Sequence, residues 1–257
     1  METALVCALA FDRKTLSQWC DETRISAANM EKMKRYAIYY APEAGAFADA
    51  AAAWLGWDLQ AGKPVPQPHY DLQRPLRDIT AGPRKYGFHA TIKPPFRLAE
   101  GVVFADLAKA VASLAAGLRA VALPNLQLVN LEGFLALIPE GDCTDLQGLA
   151  AEVVRAIDPC RAALTHAETA RRRPESLSER QRDLLALYGY PYVMEEFQFH
   201  LTLSGALAQT EFPVVSAAAQ AHFDGVLPQP FRVACLCLCG EDAEGRFHLL
   251  RRYDLSA

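Results

Sequence analysis

Phe88, Ala90 and Ile92 alternate with His89, Thr91 and Lys93, and the same alternation returns where Phe199, Leu201 and Leu203 are set against His200, Thr202 and Ser204. Successive side chains of a β-strand point to opposite faces, so each run predicts a strand with one apolar face and one face bearing an imidazole and a hydroxyl. Both copies read Phe-His-x-Thr followed by an aliphatic residue, with the histidines 200 − 89 = 111 residues apart. If the two strands lie side by side, two histidines and two threonines converge on one site.

The remaining pattern fills in around these strands. Tyr36–Tyr40, Leu126–Leu131, Phe134–Ile138 and Phe231–Cys239 are aromatic and aliphatic runs of strand character, and Arg246–Tyr253 is expected to return from the last across the turn Gly240–Gly245. Glu132-Gly133 predicts a turn or a bulge. Helices are expected over Ala44–Trp57, Leu72–Thr80, Phe104–Val121, Asp145–Ile157 with Thr144 as its N-cap, and Phe212–Phe223. Ser176 or Ser178 starts another, which runs through Tyr188. Lys63–Pro68, with three prolines, is a connecting loop. Strands and helices are interspersed rather than strictly alternating, which predicts an α+β fold with largely antiparallel sheets and, from the repeated motif, two lobes. The fold is expected to begin near Met33. Residues 1–32 read as an N-terminal extension to a single bilobal domain spanning 33–257.

Composition narrows the partners. The chain has 257 residues, 51% of them hydrophobic, and a formal net charge of −4. That balance argues against gripping long nucleic acid by its phosphates, but not against a small anion held by local cations. No Gly-x-Gly-x-x-Gly or Walker-type glycine loop is present. The seven cysteines are scattered, and Cys235, Cys237 and Cys239 alternate as thiols on one strand face would. Read as reduced thiols, they fit a cytoplasmic protein. No apolar run approaches the roughly 20 residues that span a bilayer. Ala4–Phe11 follows Glu2 without a preceding Lys or Arg, so it is not read as a secretory signal.

The paired motifs suit metal-free cleavage of a phosphodiester. One imidazole takes a proton from the attacking oxygen and the other gives one to the leaving oxygen, because an unperturbed pKa of roughly 6.5 serves either role. Thr91 and Thr202 would donate to the non-bridging oxygens. By alternation Lys93 either adds a fixed cation there or snorkels out at the strand end. Arg171-Arg172-Arg173 is either a solvated face or the source of a cation for a second phosphate. His69, His166, His222 and His248 have no matching partner and are read as structural or surface residues. One histidine per strand without an acidic cluster is a poor metal site, so neither metal nor other cofactor is expected.

These motifs resemble those of the two-histidine (2H) phosphoesterase superfamily. Arg84 to Phe96, Met33 to Pro42 and Tyr188 to Val193 are closer still to its branch of phosphonate-metabolism proteins. The resemblance runs from Met33 to about Tyr253, and chains of that branch typically start at the residue matching Met33. It implies a bilobal α+β fold around a central cleft, acid–base chemistry at His89 and His200, and phosphate binding at Thr91 and Thr202. It further implies a small cyclic phosphodiester as substrate, a cyclic ribose phosphate or a nucleoside cyclic phosphate. An RNA-end 2′,3′-cyclic phosphodiesterase and a non-catalytic phosphometabolite-binding protein are the competing readings.

Overall fold

The computed structural model describes residues 30–257. It begins with strand β1 (Arg35–Tyr40), helix α1 (Ala46–Leu55), the short strands β2 (Trp57–Asp58) and β3 (Lys63–Pro64), helix α2 (Leu76–Ile79) and strand β4 (Ala90–Phe96). Helix α3 (Phe104–Ala115) and strands β5 (Val121–Leu123), β6 (Leu126–Leu131) and β7 (Phe134–Pro139) follow. Then come helices α4 (Thr144–Ile157), α5 (His166–Arg171) and α6 (Glu179–Tyr188), strand β8 (Leu201–Ala206) and helix α7 (Phe212–Phe223). Strands β9 (Phe231–Val233), β10 (Cys235–Glu241) and β11 (Phe247–Asp254) close the chain.

Four strands pair in the order β11-β10-β1-β4 and three in the order β6-β7-β8, antiparallel throughout. This is an α+β architecture, as the mixed periodicity predicts. Each motif strand occupies an edge: β4 ends the first sheet and β8 the second. An edge leaves backbone groups unpaired. At β8 the carbonyl of Leu203 accepts from the indole N–H of buried Trp54 on α1, at 2.8 Å. Ile38, Ile92 and Leu236 of one sheet share a continuous core with Leu135, Leu201 and Leu203 of the other.

Local chemistry explains where elements stop. Gly56, at φ 78°, closes α1 with its N–H on the Ala52 carbonyl, one residue before Trp57. Glu132 (φ 49°) and Gly133 (φ 96°) make a two-residue turn that leaves Leu131 opposite Phe134, so this is a turn and not a bulge. Of the two serines offered for α6, Ser178 caps it: its Oγ accepts from the Gln181 N–H while the Gln181 side chain accepts from the Ser178 N–H. At α4 the side-chain partner is Asp142, not Thr144: its carboxylate accepts the Thr144 N–H at 2.9 Å and hydroxyl at 2.6 Å. The apolar run at 231–239 divides at Ala234, so β9 pairs with β5 while β10 enters the main sheet. Helix α5 was not expected, although Thr165 and Glu168 form a capping box at its start.

The expected N-terminal extension lies outside the described residues up to position 29. Of its last residues, Met30 is buried and its carbonyl accepts from the Tyr36 hydroxyl at 2.7 Å. Cys235, Cys237 and Cys239 are buried on one face of β10 with Ala37, Tyr39 and Leu249. Among the described residues, no helix is long and apolar enough to cross a membrane.

Candidate active site

Gly87 sets up the first half of the site. It adopts φ +71°, and a side chain there would press within 2.8 Å of Leu59 Cβ, so only glycine fits the approach to β4. Its carbonyl lies 2.9 Å from His89 Nδ1. A carbonyl can only accept, so Nδ1 carries the proton and Nε2 is the nitrogen left for chemistry. Nε2 is 3.2 Å from Thr91 Oγ1, whose hydroxyl donates to it in the neutral ring. Tyr39 of the neighbouring β1 lies under the imidazole, ring centroids 3.8 Å apart and planes 27° from parallel.

The second half repeats the device. The Nδ1–H of His200 donates to the carbonyl of Gln198, two residues back, at 2.9 Å. Phe134 at the start of β7 packs beside the ring at 5.9 Å. Phe199, Leu201 and Leu203 are buried, while His200 and Thr202 stay half-buried on the opposite face of β8. The four motif residues are therefore presented by their strands as the alternation requires.

A cleft of about 350 Å³ joins the halves. Thr91 and His200 both line it, with Glu132, Phe134, Gln181, Tyr190 and Tyr192. The histidines are close enough for the charge of one to act on the other. Burial pushes His89 down to about 4; the Gly87 carbonyl opposes this and the proximity of His200 adds to it. His89 is thus neutral at neutral pH, with Nε2 carrying no proton.

Lys93 requires correction. Tyr39 faces Thr91 but its neighbour Ile38 faces Lys93, so one extra residue on β4 forms a bulge. The bulge breaks the alternation and turns Lys93 away from the face of His89 and Thr91. Its side chain is 1% exposed, with Nζ 2.9 Å from Asp158 Oδ1 and 3.2 Å from the Val154 carbonyl at the end of α4. Burial lowers the Lys93 pKa, and Asp158 only partly restores it. Asp158 also receives Arg161 at 2.8 Å. Although burial alone would raise its pKa, the hydrogen bonds from Arg161 and Lys93 hold it below the usual carboxylate range. Lys93 ties β4 to α4 and contributes no cation to the cleft.

The other candidates separate cleanly. Arg171 and Arg173 are exposed, whereas Arg172 is half-buried with its guanidinium 4.8 Å from the ring centre of Tyr190. His222 accepts from the Tyr70 hydroxyl at 2.7 Å and donates to the Ala50 carbonyl at 2.8 Å. His248 pairs with Asp242 at 2.6 Å, and His69 and His166 are exposed. Among the described residues, no group of three or more His, Cys, Asp or Glu side chains could hold a metal ion. Tyr39, Tyr190 and Tyr192 border the site without any motif to mark them. Their strand or turn was legible, but not the strand that would bring Tyr39 under His89.

Comparison with known proteins adds context. Two curated proteins named ribose 1,5-bisphosphate phosphokinase PhnN are each 36% identical to this chain. The one from Janthinobacterium sp. (strain Marseille) aligns over 232 residues, 88% of this chain and 51% of its own length. That from Laribacter hongkongensis (strain HLHK9) aligns over 197 residues, 76% of this chain and 46% of its own. The chain thus spans about half the length of the curated relatives it matches. Among solved structures, E. coli LigT complexed with NADP+ aligns with 88% of this chain and 99% of its own, at 14% identity and a TM-score of 0.41. A structure described as a phosphoesterase aligns over the same shares at 16% identity and a TM-score of 0.38. Residues 91–248, more than half of the sequence and including His200 and Thr202, match the family described as protein of unknown function (DUF1045), and the chain belongs to that family.

Proposed function

We propose that this protein is a metal-independent two-histidine phosphodiesterase that hydrolyses a small cyclic phosphate. The observation that carries the reading is the matched pair of imidazoles, each with Nδ1–H tied to the carbonyl two residues back, so that Nε2 is the nitrogen outside the tether in both. A structural histidine has no need of such a twin, and a pure binding site has no need of two proton carriers.

His89, kept neutral by burial, removes a proton from the attacking water. Water oxygen bonds to phosphorus, the ring P–O bond breaks, and His200 delivers a proton to the departing oxygen. The product is a phosphomonoester. The hydroxyls of Thr91 and Thr202 donate to the non-bridging oxygens and steady the charge that builds there. Thr91 is then shared between His89 and substrate, so substrate arrival frees Nε2 for the water.

The substrate class follows from chemistry beside this one. The relatives' name describes a kinase for ribose 1,5-bisphosphate, yet this chain has no glycine loop to cradle a nucleotide's phosphates. The kinase activity is therefore assigned to the part of those proteins that this chain does not match. Opening a cyclic phosphate bridging O1 and O2 of ribose 5-phosphate yields ribose 1,5-bisphosphate, which makes a cyclic ribose phosphate the leading substrate. Exposed Tyr86 and Tyr192 favour, as second reading, a nucleoside 2′,3′-cyclic phosphate or RNA end, since each offers an aromatic face to a base.

The test is hydrolysis in EDTA of cyclic ribose phosphates, nucleoside cyclic phosphates and a short RNA with a cyclic end. His89→Ala and His200→Ala are each expected to lower kcat by about 10²–10⁴-fold. A requirement for added metal, or full activity in either variant, would sink the mechanism.

A further inference from the structure

We propose that Arg172 is the specificity-determining cation of this cleft, receiving a second, terminal phosphate on substrates that carry one besides the cyclic diester. The proposal rests on the phosphodiesterase reading for the identity of the first phosphate only. Its own ground is the disposition of charge around the cleft.

The carboxylates lining the cleft, Glu132 and Glu196, are negative, and Gln181 is held by Glu196 at 2.9 Å. A singly charged cyclic diester needs only hydroxyl donors and one protonated imidazole. A terminal phosphomonoester carries nearly two negative charges, and burying it beside carboxylates without a cation is costly. Lys93 is unavailable, being engaged by Asp158.

Other arginines near α4–α6 are committed to carboxylates. Arg97 pairs with Glu168, Arg161 with Asp158 and Arg180 with Glu195. Arg172 is half-buried, yet among the described residues no carboxylate lies within ion-pair distance of it. Its guanidinium is instead laid over Tyr190, a residue that lines the cleft with His200. Stacking on a ring partly compensates the charge and fixes the plane of the guanidinium. It leaves the N–H edges free, and that planar fork matches phosphate oxygens in pairs. The arrangement is an unpaired cation held against Tyr190 of the cleft wall, which is what a tail phosphate requires.

Two measurements test this. The first is calorimetric titration with ribose 5-phosphate, which reads the tail subsite without turnover. Wild-type protein and His89→Ala are expected to bind it, Arg172→Ala at least tenfold more weakly, Arg172→Lys in between, and exposed Arg171→Ala like wild type. The second is the ratio of kcat/KM for ribose 1,2-cyclic phosphate with and without a 5-phosphate, expected to fall at least tenfold in Arg172→Ala. Absence of binding by the wild type, unchanged binding by folded Arg172→Ala, or an unchanged ratio would overturn the proposal. The expected binding pattern without turnover of either substrate would uphold the subsite and overturn the diesterase reading instead.

Discussion

His89 and His200 carry the same motif, but His89 lies under Tyr39 and His200 beside Phe134. His89 is packed against Tyr39 and set behind Gly87, so its charged form is costly and its pKa falls to about 4. If it is the base, kcat/KM should hold down through pH 6.5 and fall only as pH drops through about 4. A profile with its acid limb at 6.5 would remove His89 from that role. The residues doing the chemistry were readable because alternation along one strand is local information. Tyr39 was not: it reaches His89 because β1 pairs with β4 some 50 residues later in the chain, and no local pattern records the register (89 − 39 = 50).

Strand β4 shows what alternation does and does not tell. It places His89 and Thr91 together, then fails at Lys93 because a bulge inserts one residue opposite Ile38 and Tyr39. The misplaced lysine becomes a buried tie between β4 and the end of α4, where the helix's carbonyls also favour a cation. Removing one partner of a buried pair commonly costs about 3–5 kcal/mol, since the other charge stays behind uncompensated. Arg161 stays with Asp158 in Lys93→Ala, so that variant is expected to lower stability by less than this range, roughly 2 kcal/mol in denaturant titrations, while the folded fraction keeps its KM. A large KM increase with little loss of stability would return Lys93 to the substrate. Capping was mixed: of Ser176 and Ser178 the structure takes Ser178, the Thr165–Glu168 box was equally local, and at α4 Asp142 rather than Thr144 accepts the hydrogen bonds. The split of the 231–239 run at Ala234 was not legible, because both halves are equally apolar and only their partners differ.

At the scale of the whole molecule, the two sheets share one core and Trp54 hydrogen-bonds across to the edge of β8. A proton forced onto His89 is therefore a cost to the entire fold. Its folded pKa of about 4 lies below the unfolded value of roughly 6.5, so between these the unfolded chain binds more protons. The stability is fully present above pH 6.5 and is lost as pH falls through 4. At about 1.4 kcal/mol per unit the loss approaches about 3 kcal/mol, less whatever relief the cleft edge of the ring obtains from water. Glu168, held near 2 chiefly by its hydrogen bond from Arg97, gives way only below about 4.5, so the two windows barely overlap. Urea unfolding at pH 5 and pH 7 should show the difference in wild type and lose much of it in His89→Gln. An unchanged difference would place its origin elsewhere. The carbonyl tethers that orient the two rings also have a consequence for repair by substrate design. Each tether belongs to its own strand, so deleting one ring leaves the other correctly aimed. An aryl phosphodiester, whose departing phenoxide needs little help from a proton, should restore much of the rate lost in His200→Ala and almost none of that lost in His89→Ala.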